Sequence, residues 1–364
     1  MPDEHDFKHM IKKGLLIFGL GLLTACGVSA QNVTPYAPKG MEEGVVYYLP
    51  KTQIEVKATV TKVTYTPGEL CQYANRYLRI NDISSTPSEY WEIKSIEVST
   101  IGIPDANKAY SIKLKDKMAT SKVELTENGI IKAINTTSNI PSAPTKTIEP
   151  TNTPKVENVD PRSFMTEEIL LASSSNKMAE LVAKEIYNIR ESKNSLTRGQ
   201  ADYMPQDGAA LQIMLNNLET QEKAMTEMFT GKTIYTDQTF TFYLEPSKDT
   251  QNQTLFRFSK KLGVLESNNL AGEPITITIT DASNLPPATE EAKAKKKPVG
   301  VIYNIPGKAK ISIDGMAKNY LKDELIVTQF GETEILVENL FNKKENTRVI
   351  FNPTTGGIVK IDKD

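Results

Sequence analysis

Histidine is nearly missing from this chain. Only two of the 364 residues are histidine, and both, His5 and His9, fall within the first nine positions. Everything downstream is histidine-free. That excludes Ser-His-Asp and Cys-His catalysis, and every histidine-ligated metal site, from the body of the protein. Cysteine is equally scarce: Cys26 and Cys71 are the whole complement, too few for a zinc cluster. A surplus of charge is lacking as well. With 43 basic against 45 acidic residues and a formal charge of −2, the chain has no electrostatic footprint for nucleic acid. Tryptophan occurs once, as Trp91, so tryptophan platforms of the kind that sugar-binding enzymes use are absent. What remains is a mildly polar chain, mean hydropathy −0.37, long enough for about two or three domains of roughly 100–200 residues.

Long apolar runs are missing too, with one short exception. Lys12 and Lys13 precede the apolar stretch Gly14 to Leu23, which is shorter than the roughly 20 residues a membrane span needs. Basic, apolar and small residues in that order follow the grammar of an export signal over residues 1–30. Two cleavage patterns overlap there. Leu23-Thr24-Ala25-Cys26 reads as a lipobox with Cys26 as the lipidation candidate, and Val28-Ser29-Ala30 reads as a small-residue site between Ala30 and Gln31. Residues 1–9 are acidic and unsuited to a signal; they read as a start-site artefact or a tail removed with the leader. The expectation is an exported chain, periplasmic or outer-membrane associated, touching membrane only through a lipid on Cys26. Once processed it retains no histidine and no cysteine pair for an internal disulfide.

The body divides by pattern. Residues 36–134 read as a β-module with an inserted helix. Ile54, Val56, Ala58 and Val60 alternate with polar residues, the period-2 mark of a half-buried strand. Thr66-Pro67-Gly68-Glu69 reads as a capping box opening a helix whose apolar face is Leu70, Tyr73, Ala74, Tyr77 and Leu78. Residues 135–161, rich in Pro and Thr, read as a linker. Residues 162–231 read as a helical hairpin: Met178, Leu181, Val182, Ile186 and Ile189 form one stripe, and a second helix begins after Asp207 and stops at Gly231. Residues 232–364 read as a second β-rich module, interrupted by a solvated lysine-containing loop at Pro286 to Pro298. The fold class is therefore expected to be α+β, two antiparallel β-rich modules flanking a central helical hairpin.

The two modules share a pattern. Gly44-Val45-Val46-Tyr47-Tyr48-Leu49-Pro50 matches Gly300-Val301-Ile302-Tyr303-Asn304-Ile305-Pro306, and alternating strands follow each. Ile101-Gly102 parallels Phe330-Gly331, and Gly129 to Ile134 parallels Gly357 to Ile361. This suggests an internal repeat whose first copy carries the helical insertion.

Motifs for chemistry are not found. There is no S-x-x-K, no G-x-S-x-G and no calcium-loop pattern. Thr230-Gly231-Lys232-Thr233 resembles the end of a phosphate loop, but Thr226 stands where its first glycine belongs, and the segment leaves a helix for a strand. Cys71 lies on the shoulder of an apolar face, the setting of an inert thiol. No catalytic residue, metal ligand or cofactor is assigned. Carboxylate-only hydrolysis, for example of glycans, stays open because its partners can be distant in sequence. Tyrosines concentrate in the first module, and Tyr47, Tyr48 and Trp91 are the candidate partner surface.

VVYYLPKT, TPGELCQYANRYL, DGAALQIMLNNLE, LFRFS, YNIPGKA, QFGE and FNPTTGGI, taken in order, resemble an uncharacterised family of exported Bacteroidetes proteins, a domain of unknown function. The resemblance implies a cell-envelope location and carries over no catalytic residue. The functional expectation is a non-catalytic envelope protein that binds a protein, peptide or glycan through β-sheet surfaces. The alternative is a histidine-independent hydrolase.

Overall fold

The structure, a computed structural model, describes residues 45–112, 122–141, 159–205, 207–248, 250–283, 300–337 and 347–363. The leader with Cys26, Ala30 and Gln31, most of the 135–161 linker and the 286–298 loop lie outside these residues. Among the described residues the chain is mostly β, in three antiparallel sheets.

One strand contributes to two of the three hydrophobic cores and leads into the third. β1 (Val45–Thr66) pairs with β2 (Ser88–Ile112) on one side and β5 (Lys232–Leu244) on the other, giving a first sheet of order β2-β1-β5. The alternation noted above places Ile54, Val56, Ala58 and Val60 on one face. That face packs against a second sheet of order β10-β9-β8-β6-β7, built from β6 (Gln253–Ser259), β7 (Gly263–Leu265), β8 (Glu273–Asp281), β9 (Gly300–Gly315) and β10 (Lys318–Val337). Phe256, Phe258, Ile275, Ile277, Ile279, Ile311 and Ile313 fill the sandwich from the second sheet. The opening residues of β1, Tyr47 and Leu49, enter another core. It is shared with a third sheet of order β12-β11-β4-β3: β3 (Val123–Leu125), β4 (Ile131–Ile134), β11 (Thr347–Phe351) and β12 (Ile358–Lys363).

Just past its far end, the chain leaving β1 enters a helical core. Leu70, with Ala74 and Leu78 of α1 (Ala74–Leu78), packs against α2 (Glu167–Leu170), α3 (Ser175–Thr197) and α4 (Gly208–Thr230). Ser174 and Asp207 cap α3 and α4 by accepting from the Lys177 and Ala210 N–H groups. Arg190 and Lys193 on α3 both bond Glu222 on α4, at 2.7 and 3.0 Å. Burial pushes the Glu222 carboxyl up, but these two cations outweigh it and hold it low.

Three expectations change here. The helices do not lie between two β-modules. β1 pairs with β5 across the helical segment, and β4 pairs with β11, so two of the three sheets draw strands from both sides of that segment. Strand edges are satisfied by whichever backbone lies alongside, not by neighbours in sequence. The capping box does not form either. Thr66 ends β1, and the helical turn starts at Cys71 with no side-chain cap from Leu70. Gly68 is needed there for space: a Cβ on it would sit 2.1 Å from the Met228 carbonyl oxygen, and the Leu70 N–H donates to that same oxygen at 2.8 Å. Glu69, the other half of the supposed box, pairs with Arg162.

The repeat acquires a different register. Both halves contain a long antiparallel hairpin followed by a short one, β1–β2 then β3–β4, and β9–β10 then β11–β12. In the first, the Tyr48 N–H donates to the Gly129 carbonyl at 2.9 Å; in the second, the Asn304 N–H donates to the Gly356 carbonyl at 3.1 Å. Both glycines have positive φ, 78° and 70°, which a turn of this form demands and glycine adopts without strain. The counterpart of Gly129 is thus Gly356, not Gly357. Nor is Gly331 the counterpart of Gly102: cross-strand pairing aligns Ile103 with Val327 and Ala109 with Thr333.

Candidate functional site

The tyrosines picked out as a partner surface are inside the molecule. Tyr47 is 1% exposed. Its hydroxyl donates to the Ile302 carbonyl at 3.0 Å and accepts from the Ile302 N–H at 2.9 Å. Burial pushes its phenol far above the ordinary value. Tyr48 is also buried, its ring lying against Gly129. These two are corrected from surface to core, because the first turns of β1 are covered by the third sheet and by β9. Trp91 is half-buried against the sandwich, its ring over Gly263 and its backbone N–H donating to the Lys260 carbonyl at 2.7 Å. It ties β2 to the β6–β7 turn. Cys71 is half-buried and unbridged.

Among the described residues, no group of three or more His, Cys, Asp or Glu side chains is placed to hold a metal. A shallow depression of about 510 Å³ lies at the β9–β10 turn, lined in part by Glu273, Asp314 and Asn319. Hydrogen bonds from Ser312 and Asn319, at 2.6 and 2.8 Å, hold the Asp314 carboxyl low. It is a structural acceptor for its own turn. Glu55, Glu222, Asp237, Asp281, Asp314 and Glu324 are all shifted the same way, downward. The group shifted furthest, Asp281, is held at about 2 by Lys248, 2.7 Å away, and by Ser283. A general acid for glycoside cleavage needs the opposite shift.

The first sheet offers a different kind of site. Its outer face is polar. Glu55 accepts from the Ser99 hydroxyl at 3.0 Å and the Tyr243 hydroxyl at 3.1 Å, joining all three strands. Asp237 accepts from the Thr61 hydroxyl and from Lys94, each at 2.6 Å, and these bonds hold its carboxyl low. Tyr90 and Tyr235 flank Val63 in one cross-strand row, both exposed. Its edge is β5, which runs 13 residues in unbroken register with β1, from Thr66↔Lys232 to Ile54↔Leu244. That is about twice the usual strand length of about 5–6 residues. Among the described residues, no strand pairs with the other side of β5.

The other sheet edges are blunted in recognised ways. β3 and β7 are three residues long. β12 carries Lys360, Asp362 and Lys363; β10 is interrupted opposite Pro306 and carries Lys322, Asp323, Glu324, Glu332 and Glu334. β2 has register breaks, Pro104, and its tie at Trp91. β5 (KTIYTDQTFTFYL) has no proline, no register break and no charge after Lys232 except Asp237, already engaged by Lys94. The sequence marks only Thr239 to Leu244 of this run as a strand. Its edge position comes from the pairing across the helical segment, for which there is no local signal.

A model of the family described as a domain of unknown function (DUF4831) matches residues 43–359. No curated protein and no solved structure matches the chain.

Proposed function

We propose a role for a chain that belongs to the DUF4831 family of domains of unknown function: it is an exported, non-catalytic binding protein that takes an extended segment of a protein partner onto the free edge of β5. The observation that carries this reading is the long, unbroken edge, whose one charge after Lys232, Asp237, is already paired to Lys94. An exposed edge presents a row of backbone donors and acceptors that pairs with any added strand. Alternate side chains then set specificity. The polar outer face beside it, with Tyr90 and Tyr235 exposed, supplies side-chain contacts to the same guest. The shallowness of the depression, and an Asp314 held low by its own turn, support a binding role over hydrolysis. The export signal read over residues 1–30 supports an envelope location.

The test uses a synthetic peptide with the sequence of residues 232–244, carrying a benzophenone in place of the residue matching Tyr235. Irradiated with the full chain, it is expected to label residues within 232–244, located by peptide mapping. No labelling, or labelling confined to other strands, refutes the reading.

A further inference from the structure

We infer that the strand added at β5 is β5 of a second copy of this chain, paired antiparallel about a twofold axis near Gln238. The inference rests on the edge-binding reading above and names the guest.

The first ground is a vacancy. In the second sheet the central strand β9 is flanked by β10 and β8, and β8 is in turn paired by β6. In the first sheet β1 is flanked by β2 and β5. Since the two long hairpins are related halves, β5 occupies the place of β8. The place of β6 has no described strand in it.

The second ground is that β5 complements itself. Even-numbered residues face the sandwich, where Phe240, Phe242 and Leu244 pack against its core. Ile234 has the same facing, yet it belongs to none of the three cores and is 36% exposed. Twofold antiparallel pairing about Gln238 sets Ile234 opposite Phe242 of the second copy, and Thr236 opposite Phe240. On the outer face Tyr235, 59% exposed, meets Thr241, and Asp237 meets Thr239. Aromatic and β-branched residues opposite one another are favourable cross-strand pairs. Lys232 meets Leu244, so no two like charges stand directly opposite. The diagonal approach of the two Asp237 carboxylates is offset because each is paired to its own Lys94. An interface made by the same patch on both subunits closes on itself, so a hydrophobic edge is buried without leading to fibres.

The third ground is the lack of protection. Among the described residues β5 is the one long edge with neither proline nor register break, and its Asp237 is already paired to Lys94, as expected for an edge that is covered in the working protein.

Sedimentation of the full chain at micromolar concentration is expected to read twice the 40.4 kDa chain mass. Tyr235→Lys with Thr241→Lys, both exposed, places a lysine opposite a lysine at two points of the pair. This variant is expected to read half the wild-type mass with an unchanged circular dichroism spectrum. A single cysteine at Gln238, in a chain with Cys26 and Cys71 changed to Ser, is expected to oxidise to a disulfide dimer; Thr59→Cys on the central strand is not. If the wild type is a monomer while the 232–244 peptide still labels β5, the guest is another protein and the self-pairing is wrong, with the edge reading intact. If it is a monomer and the peptide labels nothing, both fall. A double-lysine variant that stays dimeric places the interface elsewhere and also overturns the proposal.

Discussion

Replacing Thr52 by Val tests how the first two sheets are joined. Thr52 on β1 is fully buried and Thr328 on β10 nearly so. The two form a reciprocal pair: the Thr328 N–H donates to the Thr52 hydroxyl at 3.0 Å, and the Thr52 N–H donates to the Thr328 hydroxyl at 2.8 Å. Gln329 completes the cluster. Its amide donates to the Thr52 carbonyl at 2.6 Å, and its oxygen accepts from the Thr52 N–H at 3.1 Å and the Thr328 hydroxyl at 2.9 Å. The cluster is therefore asymmetric. Thr52→Val removes the acceptor of the Thr328 N–H and leaves a buried donor orphaned, a cost of about 1–3 kcal/mol. Thr328→Val leaves the Thr52 N–H bonded to Gln329, so it forfeits only about 0.5–1.5 kcal/mol. Urea unfolding should show both midpoints lowered, Thr52→Val further, with unchanged slope. A Thr52→Val protein within about 0.5 kcal/mol of wild type, or a larger loss for Thr328→Val, refutes the reasoning.

Other outcomes follow from named contacts. Gly68→Ala must move the Met228 carbonyl, 2.1 Å from the new Cβ, at a cost of about 1–3 kcal/mol; hydrogen exchange should quicken in residues 70–78 and at the end of α4, and unchanged exchange contradicts the close approach. Phe229→Ala empties a fully buried site in the helical core and should cost about 3–5 kcal/mol in a denaturant titration; a loss under about 1 kcal/mol would show the helical core to be soft. Burial, and then the bond to Glu334, push the Tyr303 phenol from 10.0 up to about 12. The folded value lies above the unfolded one, so this term is intact below pH 10 and lost as pH rises towards 12. Tyr303→Phe should flatten stability over that window, and an unaltered alkaline profile counts against it. Asp281 is the opposite case: lowered from 3.8 to about 2, it stabilises above pH 3.8 and loses this as pH falls towards 2. Lys248→Met should weaken that acid dependence, and a profile identical to wild type would deny the pair its role.

Elements set by local chemistry were legible. The alternation at Ile54 to Val60 gives a strand with those residues inside, because a pleated strand alternates faces whatever its neighbours are. Asp207 and Gly231 bound the second long helix because the end groups of a helix must be satisfied locally; the Ser174 cap of the first emerged only from the structure. The Thr66–Glu69 capping pattern misled because β1 runs on through Thr66 to pair with Lys232, and a ladder bond outcompetes a side-chain cap. Tyr47 and Tyr48 misled for a related reason. A strand pattern marks which residues share a face, but not that a second sheet, more than 200 residues away in sequence for Ile302, covers them.

The sequence by itself determined the missing chemistry: without histidine downstream of residue 9 or a cysteine cluster, whole classes of site have no residues to be built from. It also determined strand and helix identity, and that two halves share a plan. Tertiary structure alone decided which strand is left at an edge. β5 looks like any other half-buried strand in sequence. It became the open edge because β1 had one side already filled by β2, and the helical segment carried the chain back to the other. Edge status is a property of pairing between distant segments, and hydrogen bonds between backbones carry no record of side-chain identity.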